Sequence, residues 1–188
     1  MKLKIPFLTL AFYILFLVQP VEEPIVEEST VEAELLSNSV ADTEKFFFEI
    51  GFTDVHKALQ ESKDYFKRDI SLPTKLPPIT FTHQFGRFTN SYGKANEQFE
   101  ITYINENLGH HHYQIRIKPV KYKLILHKKH IDHTFKLIDG NEGIYSTKFP
   151  LDFLTFDKNG WNYTLLVNKQ ISDTVTKEVL IDIANSIK

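Results

Sequence analysis

The chain has 188 residues, 42% of them apolar, with 22 Lys and Arg against 24 Asp and Glu and a formal net charge of -2 at neutral pH. Once its ends are set aside, that length holds one ordinary hydrophobic core. The chain has no cysteine, which excludes disulfides, a lipoprotein-type acylated cysteine, a thiol nucleophile and any cysteine-ligated cluster.

At the amino end, Lys2 and Lys4 precede the unbroken apolar run Ile5 to Val18. Its length suits the apolar region of an export signal and falls short of the roughly 20 residues that cross a bilayer comfortably. The following "LVQPVEEP" has no small-x-small cleavage site, so residues 1–18 read either as an uncleaved membrane anchor or as the signal of a released protein. Both readings place the rest of the chain on the extracytoplasmic side. Residues 19–45 carry eight acids against Lys45 alone, and Pro20 and Pro24 interrupt any helix, the pattern of an acidic, disordered tether. Residues 46–188 then hold 16 acids and 19 bases, about +3. That surplus is too small to suggest nucleic acid as a partner.

Residues 46–188 read as a single α+β domain. "FFFEIGF", Phe46 to Phe52, opens the apolar material, and Thr53 is the expected cap of a helix in which Val55, Ala58, Leu59, Ser62 and Phe66 recur at helical spacing. Pro73, Pro77 and Pro78 end regular structure in "SLPTKLPPI" and favour extended chain. The apolar period then becomes two. Phe81, His83 and Phe85, then Phe99, Ile101 and Tyr103, then Tyr113, Ile115 and Ile117 alternate with polar neighbours, predicting half-buried antiparallel strands in a meander. Val120, Tyr122, Leu124 and Leu126 prolong the alternation beyond a break at Pro119, and Phe135 to Ile138 predicts a further strand closed by a "DGNEG" turn. "LDFLTF" and "WNYTLLV" predict a hairpin with a four-residue loop, Asp157 to Gly160. Thr176 caps a last helix whose Val179, Leu180, Ile183, Ala184 and Ile187 form one apolar stripe, which must lie on the sheet.

The "LPTKLPP" entry, the "WNYTL" strand (Trp161 to Leu165) and the closing "EVLIDIANSIK" helix resemble, over roughly residues 66–188, a domain family of unknown function. That family is found C-terminally in membrane-anchored proteins of Gram-positive spore-forming bacteria and has been likened to LolA-type and RseB-type carriers and sensors. The resemblance implies an extracytoplasmic sheet-plus-helix domain that binds or senses. Relatives that sit behind anti-sigma segments carry a cytoplasmic zinc-finger module, which is missing here, so no sigma-factor role is implied.

Candidate site residues cluster in "GHHHYQIRIKPVKYKLILHKKHIDH", Gly109 to His133, which holds six of the eight histidines. His110 and His112 can share a strand face that His111 cannot. A hairpin folded about His130 would set His127 across from His133 with Asp132 nearby, a candidate set for zinc, nickel or copper. Lys128 and Lys129 oppose a divalent cation there. Arg116, Lys118, Lys121, Lys123, Lys128 and Lys129 form a basic run without an acid, suited to anionic envelope lipid or wall polymer; edge lysines that prevent sheet-to-sheet pairing are the plainer account. Trp161 and Tyr163 are candidates to line an apolar cleft between sheet and helix, or else plain core. No hydrolase, metalloprotease, nucleotide or dinucleotide motif is present, and no cofactor is expected. The sequence therefore predicts a non-enzymatic extracytoplasmic domain that binds or senses at the cell envelope. A carrier of an apolar or anionic envelope ligand and a histidine metal binder are the alternatives.

Overall fold

The computed structural model describes residues 42–90 and 93–188. The expected signal or anchor, residues 1–18, and nearly all of the acidic tether lie outside the described residues. A first helix, α1, already occupies residues 42–49, so helical structure begins inside the stretch read as tether. Among the described residues no helix is long and apolar enough to cross a membrane.

The protein is α+β: among the described residues a seven-stranded antiparallel sheet follows two helices and precedes a third. Helix α2 spans Val55–Phe66, and strands β1 to β3 are His83–Thr89, Gln98–Ile104 and His112–Pro119. Strands β4 to β7 are His133–Lys136, Glu142–Ser146, Leu151–Lys158 and Trp161–Asn168, and α3 spans Lys177–Asn185. The spatial order β1-β2-β3-β7-β6-β5-β4 consists of two meanders, joined where β3 pairs with β7. Residues 120–132 carry the chain from the centre of the sheet to its far edge.

The period-two pattern assigns each side chain to a face, and the register fixes its neighbours. One face is the core, crossed by the row Gly86, Ile101, Ile115, Leu165, Leu154 and Tyr145. Helices α2 and α3 cover it. The buried stripe of α3 is Leu180, Ile183 and Ala184, continued by Ile187 beyond the helix, and Thr176 caps its amino end by accepting from the Val179 amide. The proline-bearing stretch after α2 crosses the same face. There Trp161 Nε1 donates to the Asp69 carbonyl at 2.8 Å and Tyr163 Oη to the Ser71 carbonyl at 2.9 Å.

Four expectations are corrected. Asp54, not Thr53, caps α2, its carboxylate accepting from the His56 and Lys57 amides. Thr53 instead makes a two-bond bridge to Gly86 at the sheet edge, with N–O distances of 2.7 and 2.8 Å. Residues 120–126 form no strand: a 3-10 turn at Val120–Tyr122 follows Pro119, and Leu124 and Ile125 are exposed. Proline removes the amide that would have continued the ladder. Glu142 and Gly143, read as turn, open β5, and the last hairpin closes on two residues. Asn159 and Gly160 both have positive φ (50° and 74°), the type I′ geometry that matches strand twist.

Gly86 is where α2 meets the sheet. A Cβ there would lie 2.7 Å from Val55 Cα and 2.9 Å from Ala58 Cβ, so backbone must move to admit it. Gly86→Ala is expected to destabilise the fold by about 1–3 kcal/mol, the usual cost of overpacking. A shift of the urea midpoint with unchanged slope is the check, and an unaltered midpoint would show that α2 docks loosely.

Candidate functional site

The second face of the sheet is the informative one. Across it runs the row Arg87, Glu100, Arg116, Thr164, Thr155 and Ile144, beside Phe85, Thr102, Gln114, Leu166, Phe153 and Ser146. Helix α1 covers only the β1 end, where the Phe47 ring stacks on Phe85 at 4.3 Å. The chain then passes round that edge to α2.

Glu100 is the electrostatic centre. Its side chain is 2% exposed and lies between Arg87, 3.3 Å away, and Arg116, 3.6 Å away. Gln98, Thr102 and Gln114 also donate to its carboxylate. Arg87 stands over the Phe52 ring at 4.2 Å, which fixes its guanidinium against the residues leaving α1.

Of the cavities along this row, two lie on either side of Arg116. The first, about 430 Å³, is a trough over β3, β7 and β6, walled by Leu124, Phe149, Leu151, Phe153 and Leu166. Arg116 and Lys118 supply its charge, and no acid among the described residues belongs to its lining. Lys118 donates to the Ala95 carbonyl at 3.3 Å, and burial, then the neighbouring Arg116, lowers its pKa below the usual lysine value. The second cavity, about 460 Å³, lies beneath α1, with Phe47, Ile50 and Phe52 above and Arg87, Glu106, His112 and Arg116 among its lining. The trough suits apolar matter with a negative end, whereas the cleft beneath α1 is less apolar and internally balanced in charge.

The sequence-predicted residues fare unevenly. His127, His130, His133 and Asp132 are not gathered: among the described residues no group of three His, Cys, Asp or Glu is placed to hold a metal. His127 caps the short turn Lys128–His130, His130 meets the Phe149 ring, and His133 meets Tyr145. Asp132 is occupied by Lys148 at 2.8 Å and by the Thr147 amide and hydroxyl, which hold its pKa down to about 2. No hairpin turns at His130: the 3-10 turn Lys128–His130 leads into the edge strand β4, whose only ladder partner is β5.

The basic run is also divided. Arg116 and Lys118 point into the second face, Lys123 pairs with Asp157, and Lys121 lies over its neighbour Tyr122. Lys128 and Lys129 sit exposed in the 3-10 turn. Trp161 and Tyr163, candidates for an apolar cleft or else plain core, lie in the core. Their exposures are 1% and 0%, and Phe66 and Phe156 respectively pack against them.

Sequence reading missed Arg87, Glu100, Glu106 and Gln114 as site residues, having assigned the polar positions of the strands to solvent, and weighed His112 only beside His110 as a possible metal ligand. A signal was present in the doublets Phe153–Leu154 and Leu165–Leu166, since adjacent apolar strand residues require cover on both faces. No family model, curated protein or solved structure matches the chain. Fold and site together define an α+β domain sealed on one sheet face and cavity-bearing on the other.

Proposed function

We propose that the chain is a non-enzymatic, extracytoplasmic binding domain of the cell envelope whose ligand is an anionic amphiphile held in the trough beside Arg116 and Lys118. One observation carries this reading: an apolar wall of Leu124, Phe149, Leu151, Phe153 and Leu166 faces two cations in a cavity lined by no acid among the described residues. Burial of Leu and Phe surface favours an acyl chain at about 25 cal/mol per Å². An anionic end relieves the repulsion between Arg116 and Lys118. The volume, about 430 Å³, falls within the range of small-molecule sites. The apolar run Ile5 to Val18 and its preceding lysines support placement at the membrane, where such ligands are abundant. The structural work of Lys123 leaves less of the basic run free for a wall polymer.

Calorimetric titration of the full chain with dodecanoate and with dodecanol tests this. Dodecanoate should bind more tightly, and Lys118→Met should weaken it about tenfold, the worth of one charge-assisted hydrogen bond, while leaving dodecanol unchanged. Affinity should also fall as pH rises through the lowered Lys118 pKa, where the ammonium loses its charge. Equal binding of acid and alcohol, or indifference to Lys118→Met, would place binding elsewhere, the apolar amino-terminal run included.

A further inference from the structure

The connection from β3 to β4 holds apolar side chains out in water. After the 3-10 turn Val120–Tyr122 the chain runs from Lys123 to His127 without regular structure and enters a second 3-10 turn, Lys128–His130. Both ends of this stretch are tied: the Lys123 amide donates to the Val120 carbonyl at 3.1 Å, and the Lys129 amide to His127 Nδ1 at 3.4 Å. Ile125, at its middle, is 89% exposed and Leu124 is 66% exposed, although Leu124 also walls the trough. A tied loop cannot fold these side chains away, so only an outside partner covers them.

Charge sets this pair apart from other exposed aliphatic residues. From Pro119 to Ile131 there is no acid, and Lys121, Lys123, Lys128 and Lys129 flank the pair, two on each side. Asp157 engages Lys123. Lys121 keeps its charge over the Tyr122 ring, and Lys128 and Lys129 form no ion pair among the described residues. Ile138 is equally exposed but is followed by Asp139, which holds Lys158.

This arrangement selects the occupant. A second copy docked on the same patch would set lysines against lysines. A soluble polyanion would meet the lysines and leave Ile125 in water. A bilayer with anionic headgroups presents negative charge at its surface and hydrocarbon just beneath, which matches basic flanks around an apolar tip.

We infer that residues 120–130 are a membrane-docking loop, seating Ile125 and Leu124 at the acyl boundary of an anionic bilayer with Lys121, Lys128 and Lys129 among its headgroups. The inference stands on exposure and charge and does not depend on what fills the trough. Docking brings the trough's rim to the lipid, because Leu124 belongs to both.

The test uses the full chain, whose lack of cysteine lets a single Ile125→Cys carry one nitrobenzoxadiazole label. The apolar run Ile5 to Val18 favours any vesicle by itself, so the readout is local: protection of the label from acrylamide quenching. Protection is expected on phosphatidylglycerol vesicles and not on phosphatidylcholine vesicles. A label at Glu61→Cys, exposed on α2 over the opposite sheet face, should stay accessible on both. Lys128→Gln with Lys129→Gln should lower the ratio of protected to accessible Ile125→Cys label about twentyfold, the product of about fivefold for each lysine near an anionic surface. Neither lysine side chain holds another group in the fold, so this variant retains its structure. An Ile125→Cys label that stays accessible on phosphatidylglycerol overturns the inference. So does equal protection on phosphatidylcholine, equal protection of the Glu61→Cys label, or indifference to the lysine pair. Protection without lipid that grows with protein concentration would assign the patch to a second copy instead. Dodecanoate calorimetry reports on the trough separately, so failure of one reading is told from failure of the other.

Discussion

Trp161→Ala is expected to cost about 3–5 kcal/mol, a large part of a small domain's whole stability. The indole is 1% exposed at the end of the core face, meets the Phe66 ring edge-on at 5.0 Å, and carries the Arg68 guanidinium at 3.9 Å over its own ring. Its N–H also holds the Asp69 carbonyl, so truncation both opens a cavity and releases the chain leaving α2. Trp161→Phe separates the two effects. It keeps much of the ring packing and loses the hydrogen bond, for which about 1 kcal/mol is expected. Chemical denaturation of both variants gives the comparison. A cost below 1 kcal/mol for the alanine variant would mean that the indole is not packed core and would reopen the case for a cleft there.

Glu100→Ala is the second large effect, and it acts on the other face. Removing the carboxylate leaves Arg87 and Arg116 facing each other with no counter-ion between them and deprives Gln98, Thr102 and Gln114 of an acceptor. Breaking a fully buried pair costs about 3–5 kcal/mol. The arginine side chains are 32% and 41% exposed, so water screens part of the repulsion and about 2–3 kcal/mol is the fitting expectation. A triple variant, Arg87→Met and Arg116→Met with Glu100→Leu, should recover most of the loss, because it removes charges and partners together. If Glu100→Ala proved neutral, the arginines would be solvated outside the cleft and the charge balance proposed for it would fail.

The two effects correspond to unequal degrees of legibility. Trp161 and Tyr163 read from their alternation as residues of one face, and the structure places them in the core as the plainer account expected. Helix α3, its Thr176 cap and the β6–β7 hairpin strands were equally readable, because caps and periodicity are local properties. Strand β5 was not. Its Gly143 reads as turn, yet in the fold the Phe135 ring across the strand pair occupies the space a Cβ would fill. Nor was the fate of residues 120–126 legible, since their alternation matches a strand and only the β3–β7 pairing beside Pro119 takes the ladder elsewhere.

By itself the sequence determined the kinds of element, their apolar faces, the exclusion of cysteine chemistry and the amphipathic helix that closes the chain. It also marked Arg116 and Lys118 as notable, though for a solvated basic surface. The tertiary structure decided that Arg87, Glu100 and Arg116 form one row, that α1 roofs it, and that the histidines after residue 126 stay apart. The physical reason is range. Periodicity states which side chains share a face of their own strand, but the neighbour across the ladder depends on register and strand order. Those are set by burial summed over both faces of all seven strands, which no local stretch contains.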